Sequence, residues 1–165
     1  MMVVCGEALM DVFADADTPT GMVLDGRVGG SPFNVAAGVA RLAQPVSFFG
    51  ALSHDFLGER LLRALRDEGV ETASIARVNA PTTLGLVGTA VPVPVVDTLG
   101  AGDSFQAALL TWLAEHDCCS AEAMGSMSAL KLREALRFAA RAASITCSRR
   151  GADLPRRCEL ERSPI

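Results

Sequence analysis

An α/β fold, with a parallel sheet covered by helices, is what this sequence predicts, and three observations carry the expectation. Short β-rich runs alternate with helix-spaced runs through the first half of the chain. Half of the 165 residues are hydrophobic and the mean hydropathy is +0.31, as suits a chain that buries a sheet. The helix-spaced runs begin at Gly- and Asp-rich turns, which is where such folds place ligands.

Taken in order, "MVVC" at 2–5 reads as a short buried strand, with Asp11 near its end. "GGSPF" at 29–33 is a turn, and "NVAAGVARLA" after it reads as a helix. "VSFFG" at 46–50 is a second strand. In "DFLGERLLRALRDEG" the residues Phe56, Leu57, Leu61, Leu62 and Leu65 keep helical spacing, with an Asp to start it and Gly69 to stop it. "TTLGLV" at 82–87 is a third strand, and the proline-broken "TAVPVPVV" is one short strand at best. Two helices follow, over about 102–116 and 129–147, joined by the loop or frayed helix "DCCSAEAMGSMS". The tail beyond Pro155, with the arginine pairs at 149 and 156, reads as loose and solvated.

Composition excludes several functions. No apolar run reaches the ~18 residues of a membrane span. The start has acids and no basic segment, so a cytoplasmic location without a leader is the expectation. The net charge of −4 argues against a nucleic-acid partner. Five cysteines without CxxC spacing imply neither a disulfide framework nor a zinc site. Lys131 is the only lysine, and it does not stand in a Walker phosphate loop. His54 and His116 read as surface residues at helix ends, and Trp112 as core.

The chemistry is concentrated in "VVDTLGAGDSF" at 95–105. Glycine lets a ligand approach bare backbone, and a helix starting there directs free N–H groups at an anion. An acid in that place suits a general base that takes a proton from a nucleophile attacking a phosphate. The competing local reading is that Asp97 or Asp103 merely caps a helix. "GGSPFNVA" at 29–36 places Gly29, Gly30 and Asn34 at the head of another helix. With Asp11, Asn34 can hydrogen-bond several hydroxyls, as a sugar site requires.

These stretches resemble the ribokinase-like (PfkB) carbohydrate kinases, and within them the fructokinases. One block holds "GEALMDVF", "GGSPFNVAAGVARL", "FFGALSHDFLGERLLRALRDEGV" and "PTTLGLVG". The other holds "VPVVDTLGAGDSFQAALL" and "AASITCSRRGADLP". The resemblance implies Rossmann-type α/β/α layers with a small β lid over the sugar. It implies Asp103 as catalytic base, Gly100, Ala101 and Gly102 as anion hole, and Asp11, Gly29, Gly30 and Asn34 on the sugar. It places a monovalent cation, with K⁺ the candidate, at Asp97. ATP and Mg²⁺ are the implied cofactors, a sugar and ATP the implied partners, and a homodimer the candidate assembly.

The blocks meet too soon, near 88–90. The family's central strands, with their Asn-x-x-Glu motif for Mg²⁺ and phosphates, are missing: Asn34 and Asn79 are the only asparagines, and neither is followed by Glu at that spacing. Ala140 stands where many fructokinases carry an asparagine near the adenine. The expectation is one shortened domain over 1–165, with a sugar and lid half at 1–88 and an anion-hole and helical half at 89–165. Its activity would be phosphorylation of a sugar hydroxyl. The alternative is a non-catalytic remnant that binds a sugar or a partner.

Overall fold

The computed structural model describes residues 1–87 and 98–161. Asp97, the proline-broken run and the seam at 88–90 lie outside the described residues.

Strands β1 (Met2–Cys5), β4 (Val46–Ser53) and β5 (Ile75–Val78) form a parallel sheet in the order β1-β4-β5. Helices α1 (Ser31–Arg41) and α2 (Phe56–Asp67) are its crossovers and cover one face. That face carries Phe48 and Leu52 of β4, packed with Phe33, Val35 and Val39 of α1 and Leu61 and Leu65 of α2. Each fully buried side chain of this size contributes about 1.5–3 kcal/mol. Strand residues alternate between faces, so Val3 and Phe49 point the other way. They are 63% and 55% exposed. Cys5 and Ala51 on this second face are exposed as well, although Ser47 on it is buried. "MVVC" is therefore a half-exposed edge strand, not the buried strand expected from its apolar composition.

A second sheet, order β3-β2-β6, is the lid. Its two hairpin strands were not visible in the sequence, whereas its third strand falls inside the "TTLGLV" run expected as a strand at 82–87. β2 (Leu9–Thr18) and β3 (Gly21–Gly29) form an antiparallel hairpin around Pro19-Thr20, with a register shift between Ala14 and Ala16. β6 (Leu84–Val87) runs parallel to β2, pairing Asp11 with Gly85. Asp11 thus belongs to the first lid strand. Its placement near the end of the first strand is corrected: β1 stops at Cys5, and the chain turns into the lid before Asp11 is reached.

Residues 98–161 are helical among the described residues. α3 (Ala101–Glu115) packs on α1 and on α5 (Ala129–Cys147). Ala107, Ala108, Ala135, Ala139 and Ala142 are all buried, and small side chains let helix backbones approach. The hydroxyls of Ser104 and Thr146 satisfy each other inside this layer at 2.5 Å. The stretch before α5 contains one short helix, α4 (Ala121–Gly125).

Through Glu161 the tail is not loose. Residues 157–161 form α6 (Arg157–Glu161), and Leu160 is buried against Leu42, Ala108 and Ala139. Arg157 pairs with Glu115 at 2.7 Å and lies over the Phe138 ring. Arg149 pairs with Glu159, and Arg156 with Glu68. The arginines that read as a solvated tail are the groups that hold it down. At the centre of this network Arg41 reaches Glu68 at 2.6 Å and the Leu154 carbonyl at 2.7 Å.

Candidate functional site

Capping separates the helices that serve the site from those that serve the fold. Asp55, Ser120 and Ser128 cap α2, α4 and α5 with their side chains. α1 and α3 begin at Gly30 and Gly100, with no side-chain cap. The first N–H groups of a helix need acceptors. At α3 the Ala101 N–H bonds the Thr98 carbonyl, while the N–H groups of Gly102 and Asp103 have no acceptor among the described residues. An anion is the natural partner there. Gly100 is required for two reasons: its φ is 75°, and a Cβ would stand 2.6 Å from the Cβ of Ala152.

The two glycine turns bring α1 and α3 together head to head. Ser31 donates its hydroxyl to Oδ1 of Asp103 at 2.6 Å, and Asn34 donates Nδ2–H to Oδ2 at 2.9 Å. Asn34 is buried while Asp103 is half-buried. Both carboxylate oxygens are therefore oriented by donors from the "GGSPFN" segment. Asp103 is not a helix cap: the N-cap is Gly100, and the acid sits in the first turn.

Asp11 completes the cluster from the lid. Its carboxylate lies against Gly29, where an added Cβ would fall 2.0 Å from Oδ2. A larger residue there would displace the carboxylate. Burial, and then the nearby charge of Asp103, push the Asp11 carboxyl above its ordinary range. Two acids held this close, one of them with raised proton affinity, are a functional-site signature.

Asp11, Gly29, Gly30, Asn34, Gly100, Ala101, Gly102 and Asp103 thus come from three parts of the chain to one region. Asp97 lies outside the described residues. Ser31 was missed by the sequence reading, although its place in the "GGSPFN" turn was a signal. Arg27 was missed too. It lines a cavity of about 190 Å³ with Asp11, Phe13, Leu99 and Arg150. His54 and His116 are exposed and Trp112 is buried, as expected. Among the described residues no group of three His, Cys, Asp or Glu side chains converges as a metal site, and no helix is long and apolar enough to cross a membrane.

The profile described as pfkB family carbohydrate kinase matches residues 1–90 and 87–157. The two matches overlap at 87–90, the seam expected from the motif blocks. A 5-dehydro-2-deoxygluconokinase of Clostridium perfringens is 35% identical over 72 residues, 44% of this chain and 21% of that protein. A fructokinase of Rhizobium leguminosarum bv. trifolii is 33% identical over 87 residues, 53% of this chain and 27% of that one. The matched stretches thus span only about a fifth to a quarter of these relatives' length.

Among solved structures, the fructokinase of Xylella fastidiosa superposes with a TM-score of 0.50 at 36% identity, over 53% of this chain and 28% of that one. It is also known with ATP bound. A sugar kinase of Pyrococcus horikoshii gives a TM-score of 0.77 over 98% of this chain and 97% of that one. Its identity is 17%, so it speaks for the fold alone. The same holds for the ribokinase of Giardia lamblia, with a TM-score of 0.75 at 15% identity over 97% of each chain. The fold is ribokinase-like, and with both signature turns in place and matched, the chain belongs to the pfkB family of carbohydrate kinases.

Proposed function

We propose that this protein is an ATP-dependent sugar kinase, fructokinase-like by descent, built as one shortened domain over residues 1–165. The observation that carries the reading is the Asp103 carboxylate, held by Ser31 and Asn34 at the open start of α3. In this reading Asp103 accepts the proton of the attacking sugar hydroxyl. The hydroxyl oxygen then bonds to the γ-phosphorus as the bond to the leaving ADP breaks. The helix start, Gly100 to Gly102, holds the transferring phosphoryl, and orientation there supplies most of the rate. Asp11 accepts hydrogen bonds from sugar hydroxyls, with Gly29 and Gly30 giving it room. Asn34 keeps Oδ1 for the sugar while its amide steers Asp103.

Mg²⁺ would neutralise phosphate charge when bound with the nucleotide. The described residues offer no cage for it, and a carboxylate with the phosphates themselves is the usual arrangement. No step is therefore assigned to it, and K⁺ at Asp97 remains part of the proposal only.

A second reading, a sugar-binding protein without turnover, draws support from the open sheet face at Val3 and Phe49. In that reading the central segments that would complete the nucleotide side are missing. A coupled ADP assay over a sugar panel separates the two. Sugar-dependent ADP release that falls about 10²- to 10⁴-fold in Asp103→Asn supports the kinase. Sugar binding without ADP release supports the second reading.

A further inference from the structure

Asp11 and Arg27 are direct partners across the β2–β3 ladder, so both side chains leave the same face of the lid. Opposite charges so placed ordinarily pair. Here they do not: among the described residues Arg27 forms its one ion pair with Asp25, at 2.9 Å through Nε. Its Nη1 donates to the Arg150 carbonyl at 3.0 Å, and the guanidinium lies 5.5 Å over the Phe13 ring. Three contacts therefore fix the cation away from Asp11, with both residues lining the same 190 Å³ cavity.

The second arginine of that cavity, Arg150, pairs among the described residues with Asp15 at 3.5 Å. Asp153, also in the lining, is already answered by Arg41 and Arg149. Arg27 keeps Nη2 without a partner among the described residues. A ligand spanning the cavity thus meets a hydroxyl acceptor at Asp11 and a planar cationic donor at Arg27.

We propose that Arg27, with Arg150 beside it, makes this site select a sugar acid, a sugar carrying a carboxylate, over a neutral sugar. The inference rests on the sugar-site reading above. A guanidinium recognises a carboxylate through charge-assisted hydrogen bonds, and its fixed fork adds orientation. A neutral ketose offers only hydroxyls there and forgoes the charge-assisted bonds that a carboxylate would gain from Nη2.

The test is titration calorimetry of the full chain with fructose, D-gluconate and 2-keto-3-deoxygluconate, with thermal unfolding to check each variant. At least one acid is expected to bind about tenfold or more tightly than fructose. That preference should shrink as salt rises, and Arg27→Gln should bring the acid-to-fructose ratio toward one. If Arg27→Gln unfolds, Arg27→Lys, which keeps the charge and loses the fork, must still reduce the ratio. Equal affinities in wild type, a preference for fructose, or an acid preference that survives in both variants overturns the proposal. Binding of no sugar at all overturns the sugar-site reading, and this inference with it.

Discussion

Asn34 donates its amide to Oδ2 of Asp103 at 2.9 Å, joining two helix starts through residues that lie 69 apart in the chain. The contact is buried on the Asn34 side, so deleting it leaves a carboxylate oxygen without its donor. Asn34→Ala should destabilise the protein by about 1–3 kcal/mol. Urea unfolding of wild type, Asn34→Ala, Asp103→Asn and the double variant measures the coupling. Additive losses would show that the two side chains do not act together.

Ser31 predicts a different signature. Its hydroxyl is exposed, so Ser31→Ala should change stability by less than about 1 kcal/mol. It should nevertheless lower turnover, because Oδ1 of Asp103 loses the donor that orients it. If the coupled assay detects turnover, kcat should fall more than KM rises. A rise in KM with kcat unchanged would assign Ser31 to sugar binding instead.

Asp11 is the site's destabilised acid. Its carboxyl is pushed up by burial and by Asp103, so ionising it costs the folded state more than the unfolded one. Stability should therefore decline as pH rises through the Asp11 value. Asp11→Asn should be more stable than wild type at pH 7, with the gain fading toward pH 4, while sugar binding is lost. Thermal melts across that range check the sign. A variant less stable than wild type at pH 7 would refute the repulsion.

Asp55 works in the opposite sense. Its carboxylate caps α2 by accepting from the Gly58 N–H at 2.7 Å. It also accepts from the Thr82 N–H at 2.8 Å and the Thr82 hydroxyl at 2.6 Å. These donors, with the Thr82 hydroxyl foremost, hold it well below the usual carboxylate range. A depressed folded value means that its stabilisation is present above the ordinary value of 3.8 and is lost as pH falls below it. Asp55→Asn should therefore destabilise at pH 7 and flatten the acid limb of the stability curve. Because Thr82 leads directly into β6, the same variant should loosen the strand that pairs with Asp11. Amide exchange at Gly85 reports this.

Leu160 tests the tail. It is buried on a five-residue helix against Leu42 and Ala139, so Leu160→Ala should cost about 2–5 kcal/mol. A loss within about 0.5 kcal/mol, the range of surface substitutions, would restore the reading of a loose tail.

The sequence by itself determined β1 and β4 of the parallel sheet and the helices α1, α2, α3 and α5, because apolar periodicity reports burial directly, while the four-residue β5 was too short to show a pattern. β4, α2 and α5 begin where their patterns begin, within a residue. It also determined the site's chemical parts, since glycine suits the left-handed backbone at Gly100 and leaves room for the Asp11 carboxylate at Gly29. Asp103 and Asn34 could be singled out from their places after those turns.

Their direct bond could not, because no local pattern encodes the packing of α1 on α3 that brings them together. The lid hairpin was hidden for a related reason. Much of its surface faces solvent, so "LMDVFADADT" and "GMVLDGRVG" carry little apolar periodicity, and the ladder between them supplies the order. The tail looked solvated because arginine is ordinarily exposed. Only the fold placed Glu68, Glu115 and Glu159 opposite Arg156, Arg157 and Arg149. Arg27 was invisible for the same physical reason. A charge acquires a role from what stands across from it, and that is decided by tertiary structure, not by sequence spacing.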